Sequence, residues 1–328
     1  MKALKTFEAT RDWTDYDLVL LDIPPLPAVL PFARRASALG IPIIADFRDI
    51  RLPETRGPLS TWVSPRRRRA SWLGRLSHEL IAVSQRVIFT SSEARDLTRA
   101  HCQGVPDERF ETITNAFMGI DPDWIETPSK TEYILLYTGS LAYRRDQLLI
   151  SLLKAVALES AGKRKPFRLQ VFGKPTAQVE EVAVQLGLGH HVILSGWVSR
   201  AETVQLQREC DALVLLQTTQ KGSAEAIPGK LFEYMERRKP ILSLATHGVN
   251  RIVHDYGLGV VATSHDPTGL AQDLSRLRSF LTTTPQLTKP PTAFSEETTV
   301  SELATIIQAV LGECCEPASS EGGTGSTG

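Results

Sequence analysis

Two apolar patterns alternate along this chain. Short unbroken apolar runs, such as Ala212-Leu213-Val214-Leu215-Leu216, stand between longer stretches whose apolar residues recur three and four positions apart. The first pattern reads as a buried strand and the second as a helix packed on a sheet. In the second half, strands are expected from Phe167 to Gly173, from Val192 to Trp197 and from Asp211 to Leu216, with helical patterns between them. Before Thr131 the grammar is the same: a strand over Tyr16 to Ile23, a helix over Pro27 to Leu39 and a strand over Pro42 to Asp46. A loop rich in Pro and Arg follows, then a helix over Trp72 to Ala82, a strand over Val87 to Thr90, a helix from Ser92 to near His101 and a strand over Phe110 to Thr114. Strands alternating with helices in this way predict an α/β chain with parallel sheets wrapped on both faces.

The pattern divides the chain into a Rossmann-like domain over 131–281 and a partial one over 1–130. Residues 282–312 read as a linker containing Pro285, Pro290 and Pro291, then a helix with Val300, Leu303, Ile306, Ile307, Val310 and Leu311 at helical spacing. The Ser/Gly/Thr-rich residues 313–328 lack apolar periodicity and are expected to be a disordered tail.

Composition narrows the function classes. The 328 residues are 42% hydrophobic and 23% charged, which suits a globular chain long enough for two domains. A formal net charge of zero gives no general pull toward nucleic acid, and none is expected as a partner. Cys102, Cys210, Cys314 and Cys315 lack metal-ligand spacing, and adjacent His190 and His191 would point to opposite faces of an extended segment. No apolar run approaches ~18 residues, so a cytoplasmic location is expected, with no metal and no cofactor.

The chemistry concentrates in Glu225-Ala-Ile-Pro-Gly-Lys-Leu-Phe-Glu233. Proline is tolerated in a first helical turn, so a helix is expected to start near Pro228. Glu225 then lies in the loop before the helix and Glu233 about a turn and a half inside it. The free N–H groups of Gly229 and Lys230 between them suit a phosphate. Upstream, Tyr137-Thr138-Gly139-Ser140-Leu141 followed by Arg144 and Arg145 offers a Gly turn feeding a helix, with forked guanidinium donors beside it.

These residues resemble the donor site of retaining GT-B-fold glycosyltransferases of the family 4 type, which build bacterial polysaccharides and glycolipids. The resemblance rests on the paired glutamates, the run Ile227-Pro228-Gly229-Lys230-Leu231-Phe232-Glu233-Tyr234, the Pro240-Ile241-Leu242 after it, and the Gly139 turn. Asp46-Phe47-Arg48-Asp49 and Asn115 with Gly119-Ile120-Asp121 resemble a mid-domain motif and the interdomain crossover of that family. It implies two Rossmann-like domains facing across a cleft. It also implies hexose transfer from a nucleotide diphosphate sugar to a glycan or lipid-linked acceptor with retention of configuration. Glu225, Arg145 and Lys230 would serve catalysis. Gly139, Ser140, Arg144, Arg145, Pro228, Gly229, Lys230 and Glu233 would hold the donor, Glu233 at the ribose diol.

The family's landmarks begin almost at Met1, so the N-terminal domain is expected to be incomplete. This leaves open a donor-binding subunit that needs a partner polypeptide for the acceptor half. A nucleotide-sugar epimerase on the same fold is a further alternative. Trp62, Arg66, Arg67, Arg68, Arg69 and Trp72 interleave basic and aromatic side chains, which suits peripheral contact with an anionic membrane as well as a solvated loop.

Overall fold

The computed structural model describes residues 2–48, 65–119, 121, 131–142, 144–162, 165–217, 226–284, 286–287 and 290–315. The chain divides into two units: Met1–Ile113 with Val300–Gly328, and Thr114–Thr299.

In the first unit the helix α1 (Lys2–Glu8) precedes β1 (Val19–Ile23), α2 (Leu26–Ala38), β2 (Ile43–Phe47), α3 (Pro65–Val83), β3 (Arg86–Phe89), α4 (Ser92–Arg99) and β4 (Phe110–Thr112). The four strands pair in parallel in the order β1-β2-β3-β4. Alternation along the strands sends two sets of side chains in opposite directions. Ile43, Ala45, Phe47, Val87 and Phe89 pack on one face with Leu30, Ala33, Leu80 and Ile81 of the helices. Ile44, Ile88 and Ile113 pack on the other with Leu303, Ile306, Ile307 and Val310.

Three local expectations differ from this architecture. The polar N-terminal stretch contains α1, whose Phe7 supplies an aromatic contact to Trp13 at 5.1 Å between ring centroids and so anchors an otherwise polar helix. The basic run 66–69, read as loop, is the opening of α3. Pro65 suits a first helical position and arginine has high helix propensity, which outweighs the polarity of the segment. Trp62 lies outside the described residues, as do residues 316–328 of the expected tail, whose first three positions, 313–315, instead finish the helix Glu296–Cys315.

The second unit runs β5 (Tyr133–Thr138), α5 (Arg145–Ser160), β6 (Phe167–Phe172), α6 (Ala177–Gln185), β7 (Val192–Ser195), α7 (Arg200–Glu209), β8 (Ala212–Leu216), α8 (Gly229–Arg237), β9 (Ile241–Leu244), α9 (His247–Asp255), β10 (Gly259–Val261) and α10 (Pro267–Thr283). The helix α11 (Glu296–Cys315) starts in this unit and continues into the first. All six strands are parallel, in the order β10-β9-β8-β5-β6-β7. One face packs Leu149, Leu152, Leu153 and Val156 of α5 against Leu270, Leu274 and Leu277 of α10; the other buries Leu231, Tyr234 and Met235 of α8.

The strand order reverses at β5. Successive strands build outward to β6 and β7 on one side, then restart at β8 on the other. In open α/β sheets a crevice opens at such a reversal, outside the carboxyl ends of the strands. Here those ends are Thr138, leading into Gly139, and Leu216, leading into Gln217.

The crossover segment is fastened to the second unit by side chains. Asp121 is buried and takes both Arg208 at 2.8 Å and Arg237 at 3.1 Å, while Asn115 donates to the Ile227 carbonyl at 3.4 Å.

Candidate functional site

The Gly turn after β5 is shaped by close approaches that only glycine permits. Gly139 has a φ of +133°, and a Cβ there would lie 1.8 Å from Lys230 Nζ. A Cβ on Gly173, at the end of β6, would lie 2.2 Å from the Gly139 carbonyl oxygen. Gly139 N–H donates to the Phe172 carbonyl at 2.7 Å and Gly173 N–H to that of Ser195 at 3.2 Å, so the three strand ends stay in step. The turn then passes Ser140 and Leu141 to Arg144, the left-handed N-cap of α5 with a φ of +63°.

Lys230 sits in the first turn of α8 and reaches across the strand reversal. Its ammonium donates to the Thr138 carbonyl and lies 4.9 Å from the centroid of the Tyr137 ring. Burial, with Arg145 adding like charge, lowers its pKa to about 8 against a smaller opposing pull from Glu233. Burial likewise pushes the Tyr137 phenol up to about 12, despite Arg145, so it stays a neutral donor, bonded to the Ser140 carbonyl at 2.7 Å. Arg145 donates to the same carbonyl at 3.4 Å. Lys230, Gly139, Ser140 and Arg145 are therefore one contact set, whereas Arg144 is exposed at its edge.

Pro228 caps α8 without a side-chain hydrogen bond, and the helix begins at Gly229 as the sequence implied. Its first N–H groups carry partial positive charge, and from this turn the Lys230 side chain reaches the Gly139 turn. The strand-end carboxamide of Gln217 fixes the approach to this helix. Its Nε2 donates to the Ala226 carbonyl at 2.5 Å, and its Oε1 accepts from Thr246 Oγ1 at 2.8 Å. Glu225 lies outside the described residues.

Glu233, further along α8, carries a partner that the pattern of the sequence did not point to. Arg200, the first residue of α7, donates to its Oε1 at 2.9 Å. Ser199 closes a capping box with Glu202 at the start of that helix, with Glu202 Oε2 accepting from Ser199 N–H at 2.8 Å, and this sets where Arg200 emerges. The signature Ser199-x-x-Glu202 predicts the helix start; nothing in it predicts the pairing across 33 positions.

Beside the Gly turn lies a pocket of about 550 Å³, lined among others by Ser140, Arg144, Gln147, Lys174, Thr176 and Trp197. Trp197 is 66% exposed, an unusual allowance for an indole, and so presents an aromatic surface to this pocket. Thr176 Oγ1 is buried with no hydrogen-bond partner among the described residues. No group of three or more His, Cys, Asp or Glu side chains suited to a metal ion occurs among the described residues, and no helix there is long and apolar enough to cross a membrane.

Residues 123–279 match the family described as glycosyl transferases group 1. No curated protein matches the chain. Among solved structures, sucrose-phosphate synthase from Thermosynechococcus elongatus is similar with a TM-score of 0.65 at 14% identity, over 95% of this chain and 77% of that one. HepE from Anabaena, in complex with UDP, is similar with a TM-score of 0.64 at 17% identity, over 94% of this chain and 81% of that one. α,α-Trehalose 6-phosphate synthase from Burkholderia multivorans gives 0.58 at 14% identity, over 94% and 70%. Identities this low speak to the fold, and the fold is the α/β pair of parallel sheets expected from the sequence. The glycosyl transferases group 1 match thus falls on residues 123–279, all within the second unit, and the fold of the chain, parallel α/β sheets in two units, is that of GT-B glycosyltransferases.

Proposed function

We propose that the chain transfers a hexose from a nucleotide diphosphate sugar to a glycan or lipid-linked acceptor, with retention at the anomeric carbon. The observation that carries this is the convergence at the β5/β8 reversal of the Gly139 turn, the α8 N-terminus and the half-buried Lys230 side chain. A diphosphate placed there meets backbone N–H groups and a fixed cation at once. Lys230 leaves the Thr138 carbonyl for a phosphate oxygen, and Arg145 supplies the second positive group. Both stabilise the negative charge that grows on the diphosphate as its bond to the anomeric carbon breaks. The acceptor hydroxyl forms the new bond on the same face and its proton passes to the departing phosphate oxygen. Charge neutralisation by these cations requires no divalent metal.

The nucleoside end follows from the same placement. The ribose diol displaces Arg200 from Glu233, whose carboxylate accepts both hydroxyls, and the base lies against the exposed Trp197 ring. Glu225 contacts the transferred hexose. The basic start of α3, together with Trp72, rests on an anionic membrane surface at the cytoplasmic face, which suits a lipid-linked acceptor.

Calorimetric titration with UDP, GDP, ADP and their hexose conjugates tests the donor site. Micromolar binding by the native chain, weakened at least about tenfold in Glu233→Ala and in Trp197→Ala, is the expected outcome. Absence of binding by a folded native chain would reject the reading. The anomeric configuration of the new glycosidic linkage, read by NMR and compared with that of the donor, then decides retention.

A further inference from the structure

The carboxyl edge of the four-stranded sheet holds a polar arrangement that the donor chemistry does not use. Alternation along β2 puts Asp46 on the same face as Ile44 and opposite to Ala45 and Phe47. Asp46 is only 9% exposed. Its Oδ2 accepts from the Arg48 guanidinium. Its Oδ1 is buried and has no hydrogen-bond partner among the described residues. Asp22, opposite in register on β1, is exposed at the same strand end. Burial raises the Asp46 carboxyl, Arg48 draws it back down, and Asp22 adds a smaller upward push.

A structural ion pair would satisfy both carboxylate oxygens, because an unmet buried acceptor is costly. Asp46 instead keeps one oxygen fixed by Arg48 and one without a donor. It does so at the carboxyl end of parallel strands, where open α/β sheets present their ligand sites. A carboxylate oxygen only accepts, and its two lone pairs match adjacent hydroxyl donors. A phosphate or carboxylate group would be repelled by Asp46 and Asp22 together.

We propose that Asp46 is an acceptor-side binding residue, its Oδ1 taking a hydrogen bond from a hydroxyl of an uncharged sugar unit while Arg48 holds Oδ2. This rests on the transferase reading and names the part of the acceptor that the first unit grips: a neutral, polyhydroxylated ring. It is a binding contact, with no proton transferred to Asp46.

Saturation-transfer NMR of the full chain with methyl α-glucoside, methyl α-mannoside and methyl β-galactoside is the test, with nucleoside diphosphate calorimetry on the same samples. At least one glycoside should bind the native chain and lose about tenfold or more in affinity in Asp46→Asn, while nucleotide affinity and thermal midpoint hold. Glu233→Ala should show the reverse, keeping the glycoside and losing the nucleotide. Glycoside binding without nucleotide binding in the native chain would sink the donor reading and leave this site standing. Lack of glycoside binding by the native chain, or equal binding by a folded Asp46→Asn, overturns the proposal. Should Asp46→Asn fail to fold, Arg48→Met carries the test: its glycoside affinity should fall by a similar factor, and unchanged affinity overturns the proposal.

Discussion

At the scale of single residues, the proposed donor crevice depends on the absence of a side chain at Gly139. Its φ of +133° and the 1.8 Å that would separate a Cβ from Lys230 Nζ act together, since one strains the backbone and the other evicts the ammonium. Gly139→Ala should therefore weaken nucleoside diphosphate binding more than about tenfold, measured by calorimetry. Fold stability should fall by only about 1 kcal/mol, since the clashing atom is the end of a flexible side chain. Lys230 itself sets a pH dependence. Its pKa of about 8 in the free protein rises when a diphosphate takes up its charge, so affinity is full below pH 8 and falls as pH climbs through it. Calorimetry across pH 7 to 10 should show a loss approaching about tenfold per unit above 8, absent in Lys230→Met. Stability without donor runs the other way. The unfolded chain keeps this proton up to 10.5, so stability rises between 8 and 10.5.

The positions of Gly139, Lys230 and Glu233 were readable from residue type and spacing, because a Gly turn and a Pro-Gly helix start leave local signatures. Arg200 and Trp197 were not. Their importance comes from side-chain contacts and exposure, which depend on where two distant loops end in space. Asp46 was visible only as part of an Asp-Phe-Arg-Asp run; the unsatisfied oxygen is a property of packing.

At the scale of elements, the short apolar runs identified β1 to β4 and β6 to β8, because a parallel strand is buried on both faces and tolerates few polar interruptions, whereas β9 and β10, four and three residues long, were not read as strands. Boundaries shifted by a few residues where polar ends extend a helix, as at Pro65, since capping and propensity rather than burial decide those ends. Helix α1 escaped because seven residues with a single aromatic anchor carry almost no periodicity. The start of α7 shows what a helix end contributes to the site. Ser199→Ala removes one arm of the capping box and should cost about 1 kcal/mol in denaturant unfolding. It should also loosen the register of Arg200, with little effect on the distant Gly139 turn. The Arg200–Glu233 pair is exposed on the arginine side, so Arg200→Ala should change stability by under about 1 kcal/mol. Nucleoside diphosphate affinity should rise in that variant if the ribose competes with Arg200 for the carboxylate.

At the scale of the whole molecule, the division into two units follows from the chain path. The second unit draws on a single continuous stretch, Thr114–Thr299, while the first combines Met1–Ile113 with residues from Val300 onward. Val310 is fully buried against Ile44, Ile88 and Ile113. Val310→Asp would bury an unpaired carboxylate and should destabilise the first unit by about 3 kcal/mol or more. Hydrogen exchange should show β1 to β4 losing protection while β5 to β10 keep theirs.

The shared helix also imposes an order on biosynthesis. Translation delivers β1 to β4 first, yet the side chains that cover one face of their sheet emerge only after the whole of the second unit has been made. Domains generally fold as they leave the ribosome, from the N-terminus onward. Here the second unit has all its strands in hand before α11 appears, whereas the first must wait with Ile44, Ile88 and Ile113 uncovered. The unit translated first is thus the one completed last. A stalled or C-terminally clipped chain would carry a finished second unit and a sticky, half-dressed first sheet, the kind of intermediate that chaperones retain.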